Sequence, residues 1–192
     1  MDTVALPSEL FSYSDARRHG LSDRQLRNLN EQGAIEKIGR GLFSTARLDA
    51  DADLIEAAFR TERATICLTS ALSRHDLTDE IPTTIDLALP RGARAPATSA
   101  PITWHKFNPT TFDLGREELD VGGGYRIGLY SAERSICDAF RIRHLEGSEQ
   151  AVEALKRWLR RPGNQPSRLL ALAAEMGPRV RGPIRSALQI LL

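Results

Sequence analysis

Two capped helices in tandem, a glycine-tipped hairpin after them, and a later alternation of strand and helix patterns predict an α+β fold. The first two features occupy residues 1–47 and read as one small domain. The third runs through residues 48–192 and reads as a second, mixed domain. That domain is expected to hold a small, partly antiparallel sheet and a helical C-terminal group.

Ser12 stands three residues ahead of Asp15, and Ser22 three ahead of Gln25. In each pair the hydroxyl and the acid or amide can satisfy each other's orphan backbone N–H, which marks a helix start. Gly20 and Gly33 follow the two helical stretches at the place where a left-handed residue stops a helix. Residues 34–44 then place short apolar-rich strands around Gly39-Arg40-Gly41, a hairpin signal. Helix, turn, helix and hairpin is the order of a winged helix-turn-helix. A further helix ahead of these has only Met1 to Leu10 to draw on, with Pro7 inside it. The N-terminal domain therefore reads as minimal, needing support from the second domain or a dimer partner. Residues 45–53 are polar and read as a linker or a helix approach, so the domain boundary is expected after residue 47.

Beyond it, Leu54, Ile55 and Ala58 mark a helix to about Arg63, residues 64–68 a strand and residues 70–75 a short helix. Ile85, Leu87 and Leu89 alternate as in a strand. Residues 102–107, 118–121 and 125–130 are further strands, the last two joined at Gly122-Gly123-Gly124. Helical spacing then takes over through Ile136 and Phe140, Val152 and Leu155, Leu169 and Leu172, and Ile184 and Leu188. Prolines 162, 166, 178 and 183 punctuate these helices.

The formal net charge of +1 is unevenly spread. Residues 48–120 carry seven basic and thirteen acidic side chains, residues 121–192 twelve basic and six acidic. No apolar run reaches the roughly 18 residues of a membrane span, and the N-terminus lacks the pattern of a signal peptide, so a cytoplasmic protein is expected. Cys67 and Cys137 stand far apart and read as buried thiols, while His19, His75, His105 and His144 lack metal-ligand spacing. No catalytic residue, metal site or cofactor is expected. The enzyme alternative is a nucleotidyltransferase-like site built on Asp86, but Ala88 stands where a second strand carboxylate should be. A protein-interaction module using the winged helix is the other alternative. Arg134 and Asp138, at i and i+4, read as an exposed helix pair of about 0.3–0.5 kcal/mol. Lys156, Arg157, Arg160 and Arg161 surround Trp158, which lies near an apolar stripe and reads as core.

On the second capped helix, Leu26 and Leu29 set the buried face, which turns Arg24, Arg27, Asn28 and Glu31 outward and Gln25 to the flank. Arginine pairs bidentately with guanine and asparagine with adenine, so this face suits major-groove readout. Lys37 and Arg40 on the hairpin suit phosphate or minor-groove contact, and Arg17 and Arg18 stand where they reach the backbone alongside. These eight residues (Arg17, Arg18, Arg24, Gln25, Arg27, Asn28, Lys37 and Arg40) are the expected DNA-binding set.

The stretch from Phe11 through Phe43 resembles the N-terminal winged helix of the AbiEi family, antitoxins and autoregulators of type IV toxin–antitoxin operons. The resemblance continues through residues 68–77, the Leu89-Pro90-Arg91-Gly92 strand end and residues 131–138. In that last block Glu133 replaces the family's proline, and Ser135-Ile136 its threonine-leucine. The resemblance implies a sequence-specific repressor of its own operon, binding duplex DNA at promoter inverted repeats as a dimer or cooperatively. It implies antitoxin activity in residues 48–192 against a nucleotidyltransferase-type toxin, with no direct contact required.

Overall fold

The computed structural model describes residues 6–45 and 51–192. The chain divides into two compact units. The first is Met1–Glu62 with Pro96–Ala100 and Asp120–Ile127; the second is Arg63–Ala95, Pro101–Leu119 and Gly128–Leu192. The boundary expected after residue 47 is thus displaced to Glu62, because the next helix packs with the N-terminal elements. Of the polar stretch read as a linker, residues 46–50 lie outside the described residues.

The first unit opens with β1 (Leu10–Ser12), α1 (Tyr13–Arg18), α2 (Asp23–Glu31), β2 (Glu36–Gly39) and β3 (Leu42–Ser44). Both capping boxes form as their spacing requires, Ser12 with Asp15 and Ser22 with Gln25. Gly20 and Gly33 take φ of +80° and +71°, which a side chain would resist. The three strands form an antiparallel sheet in the order β1-β3-β2. No helix forms among the described residues ahead of α1. Leu10–Ser12 pairs with β3 instead, setting Phe11 opposite Phe43 with ring centroids 5.7 Å apart. Phe11, Ala16, Leu21, Leu26, Ile35 and Phe43 make the core beneath the two helices. Each of the larger side chains contributes about 1.5–3 kcal/mol by leaving water. The unit is completed by α3 (Ala52–Arg60), which packs on β2 and stops three residues short of the expected Arg63.

The second unit carries β4 (Thr65–Ile66), α4 (Leu68–Arg74), β5 (Ile85–Pro90), β6 (Ile102–Phe107) and the hairpin β7 (Arg116–Gly122) and β8 (Tyr125–Tyr130). The hairpin's tip counts with the first unit. These strands form one sheet in the order β6-β5-β4-β8-β7. It is mixed, and so partly antiparallel: β4 runs antiparallel to β5 but parallel to β8, and β5 parallel to β6. Only Thr65 and Ile66 of the strand expected over 64–68 are in the sheet, since Leu68 begins α4. Four helices follow: α5 (Ala132–Glu146), α6 (Glu149–Leu159), α7 (Pro166–Glu175) and α8 (Pro178–Leu191). With α4 they enclose a core of Phe140, Leu155, Trp158, Leu169 and Ile184. Trp158 is buried, as its place near the apolar stripe led one to expect.

Candidate nucleic-acid interface

The residues expected to read bases sit on α2. Leu26 is buried and Leu29 half-buried, so the rest of the helix turns outward. Arg24, Arg27 and Asn28 are exposed, and among the described residues their side chains have no hydrogen-bond or ion-pair partner. Long cations without partners keep their full hydrogen-bonding capacity for a ligand. Gln25 is also exposed, but its Oε1 accepts from the Ser22 N–H at 2.8 Å and the Ser22 hydroxyl at 2.7 Å. The cap thus occupies its carbonyl and leaves only the amide NH2 for another contact.

Side-chain links fix α2 to its neighbours. The Tyr13 hydroxyl, at the start of α1, donates to Asp23 at the start of α2. That bond, with burial adding to it, holds the Tyr13 phenol above its ordinary pKa. Asn30 Oδ1 accepts from the Lys37 backbone N–H at 3.1 Å, so the end of α2 holds the beginning of β2. Arg17 donates to the Leu21 carbonyl at 3.3 Å and stands 3.8 Å from Asp23. Arg18 pairs with Asp15, whose carboxyl is held below its ordinary pKa chiefly by the Ser12 hydroxyl and N–H. Both arginines are exposed but carry local acidic partners, unlike those of α2.

Lys37 and Arg40 lie exposed on the hairpin, Arg40 between β2 and β3. A cleft of about 410 Å³ runs between α2 and the hairpin, lined by Leu26 and Phe43 with Asp23, Arg27, Glu31 and Lys37. The structure therefore divides the expected base-reading set. Arg27 faces the hairpin alongside Lys37, while Arg24 and Asn28 are not among the cleft's lining residues. Sequence reasoning missed what holds Arg40 in place. Glu56 of α3, fully buried, accepts from the Arg40 N–H at 2.7 Å. Its only sequence signal is an acid inside the apolar run Leu54-Ile55-Glu56-Ala57-Ala58.

The other polar clusters belong to the second unit. Arg134 and Asp138 form a buried pair at 2.9 Å, with 1% and 0% of their side chains exposed, not the solvent-exposed pair expected. Arg134 also donates to the carbonyls of Thr111 and Leu114 at 2.6 Å each. Asp86, the carboxylate of the enzyme alternative, lies 2.9 Å from His105 Nε2 and 3.3 Å from the Ser70 hydroxyl, while Ala88 is buried. Among the described residues no group of three His, Cys, Asp or Glu side chains is placed to hold a metal ion. Cys67 and Cys137 are free and buried, as expected. Burial pushes the Cys67 thiol well up, and the Cys137 thiol up to about 12. No helix among the described residues is long and apolar enough to cross a membrane.

Residues 8–46 match the family model described as a transcriptional regulator, AbiEi antitoxin. Over this segment the chain is similar to the AbiEi regulators. The match runs from just before β1 to just past β3, so it takes in α1, α2 and the hairpin and stops short of α3. It supports over this segment the AbiEi resemblance read from the residues. Residues 68–77, 89–92 and 131–138, which carry the rest of that resemblance, lie outside the matched segment. No curated protein matches the chain.

Proposed function

We propose that the first unit binds duplex DNA as a winged helix-turn-helix, with α2 in the major groove and the β2–β3 hairpin as the wing. The observation that carries this reading is the exposed, unpartnered set of Arg24, Arg27 and Asn28 on α2, beside a hairpin presenting Lys37 and Arg40. Arg24 and Asn28 take base edges, Arg27, Lys37 and Arg40 the backbone and adjacent groove, and Arg17 and Arg18 flank them. The AbiEi match over this segment supports a regulatory role. On this reading the protein represses its own toxin–antitoxin operon from inverted repeats in the promoter. The residues that follow the matched segment supply the antitoxin activity against a nucleotidyltransferase-type toxin, without needing to contact it, and the protein works in the cytoplasm.

One small module makes too few base contacts for operator-level discrimination, so two copies on paired repeats are expected. Gel-shift and footprinting on DNA upstream of the protein's own gene test this. The expected result is cooperative protection of two repeats. Binding no tighter than to unrelated duplex would refute the reading.

A further inference from the structure

We infer that Glu56 is a positioning residue for the hairpin's contact with DNA, fixing Arg40 so that its guanidinium reaches the duplex; the inference rests on the reading above. Glu56 is fully buried in α3, and a carboxylate taken out of water is costly unless partners replace the water. It has them. Oε1 accepts from the Arg40 N–H at 2.7 Å, while Oε2 accepts from the Ser99 and Ala100 N–H groups at 2.8 and 3.3 Å. One turn further along the helix, Arg60 lies 3.9 Å from Glu56 Oε1 and donates through Nη2 to the Arg40 carbonyl. Positions i and i+4 of α3 thus take both backbone polar groups of Arg40.

The Arg40 side chain is left exposed, and among the described residues it has no partner. The seat is close-fitting: a Cβ at Gly39 would fall 2.6 Å from the Glu56 carboxyl carbon. A hairpin tip held at both N–H and C=O opens less readily than one bonded only to water. Ordering the tip in advance removes a cost that would otherwise fall on binding. Glu56, being buried, does not touch the duplex itself and bears on DNA through Arg40.

A double-mutant cycle on the full chain separates this from plain structural support. The readout is affinity for a random-sequence duplex of about 30 base pairs, with thermal unfolding followed alongside. In Glu56→Gln the amide must turn an NH2 toward backbone donors, which loosens the turn. Arg40→Ala should weaken binding, Glu56→Gln should weaken it by a similar factor, and the double variant should bind within about twofold of Arg40→Ala alone. Glu56→Gln binding like wild type, or the two effects multiplying, overturns the inference while leaving the hairpin's DNA contact standing. If Arg40→Ala itself binds like wild type, the hairpin's DNA role fails and the inference with it. Should Glu56→Gln not fold, Arg60→Ala takes its place in the cycle, removing the other tether with the same outcomes expected.

Discussion

Replacing Asp138 by alanine should be among the most damaging single changes in the second unit. Its carboxylate takes Arg134 Nε at 2.9 Å and Arg141 Nε at 2.9 Å, and it is fully buried. The Arg134 guanidinium that would remain lies 4.2 Å from the Tyr130 ring centroid and, among the described residues, keeps only the Thr111 and Leu114 carbonyls as acceptors. An exposed i, i+4 pair is worth about 0.3–0.5 kcal/mol, but stranding a buried charge costs about 3–5 kcal/mol. The two descriptions of this pair therefore differ about tenfold, and burial decides between them. With a urea slope of about 2 kcal/mol/M, Asp138→Ala should lower the unfolding midpoint by about 1.5–2.5 M. Removing both charges with an Arg134→Met/Asp138→Leu double variant should cost less, since no fully buried charge is then stranded and the Arg141 that loses its partner is partly exposed. Urea denaturation followed by far-ultraviolet circular dichroism measures both. A midpoint shift under about 0.3 M for Asp138→Ala would show that the pair is solvated and that the reasoning from burial is wrong.

Other expectations follow from the same geometry. Residues 1–62 should fold more stably than residues 1–47 by thermal melting, because only the longer fragment carries Glu56 and Arg60 against the Arg40 turn. Equal melting of the two would contradict the placement of α3 with the hairpin. Cys67 and Cys137 should react with a thiol reagent at pH 8 only as fast as the chain unfolds, since burial keeps both protonated there. A fast native-state reaction of either would count against that burial. Lys37→Ala and Arg40→Ala should each flatten the salt dependence of DNA binding by about 0.9 in log–log slope while sparing base preference. An unchanged slope would remove the phosphate contact from that residue.

What could be read from the residues was local. Ser12 with Asp15, Ser22 with Gln25, Gly20 and Gly33 act within one helical turn, so their spacing alone carries the signal for α1 and α2. The outward face of α2 was legible for the same reason, because Leu26 and Leu29 fix its rotation. Features that depend on distant partners were not. Leu10–Ser12 is a strand only because β3, more than thirty residues on, offers it an edge. Glu56 gains its meaning from Arg40, Ser99 and Ala100, none of which is near it in sequence. The unit boundary moved with it, since a polar stretch resembles a linker whether or not the next helix folds back. Arg134 and Asp138 gave the right pairing and the wrong burial, because periodicity does not show that residues 111–114 cover that helix start.

On the proposed function, α2 reads DNA with Arg24 and its outward neighbours. Its most direct test is fluorescence anisotropy with labelled DNA from upstream of the protein's own gene, comparing wild type with Arg24→Ala/Arg27→Ala. Both side chains are exposed and neither has a partner among the described residues, so the double variant should fold with unchanged stability. It should lose about 1–3 kcal/mol of operator affinity with the Arg24 base contact, weaken on every duplex alike with the Arg27 backbone contact, and discriminate less between operator and unrelated duplex. A folded double variant that binds its operator as wild type does would contradict the claim.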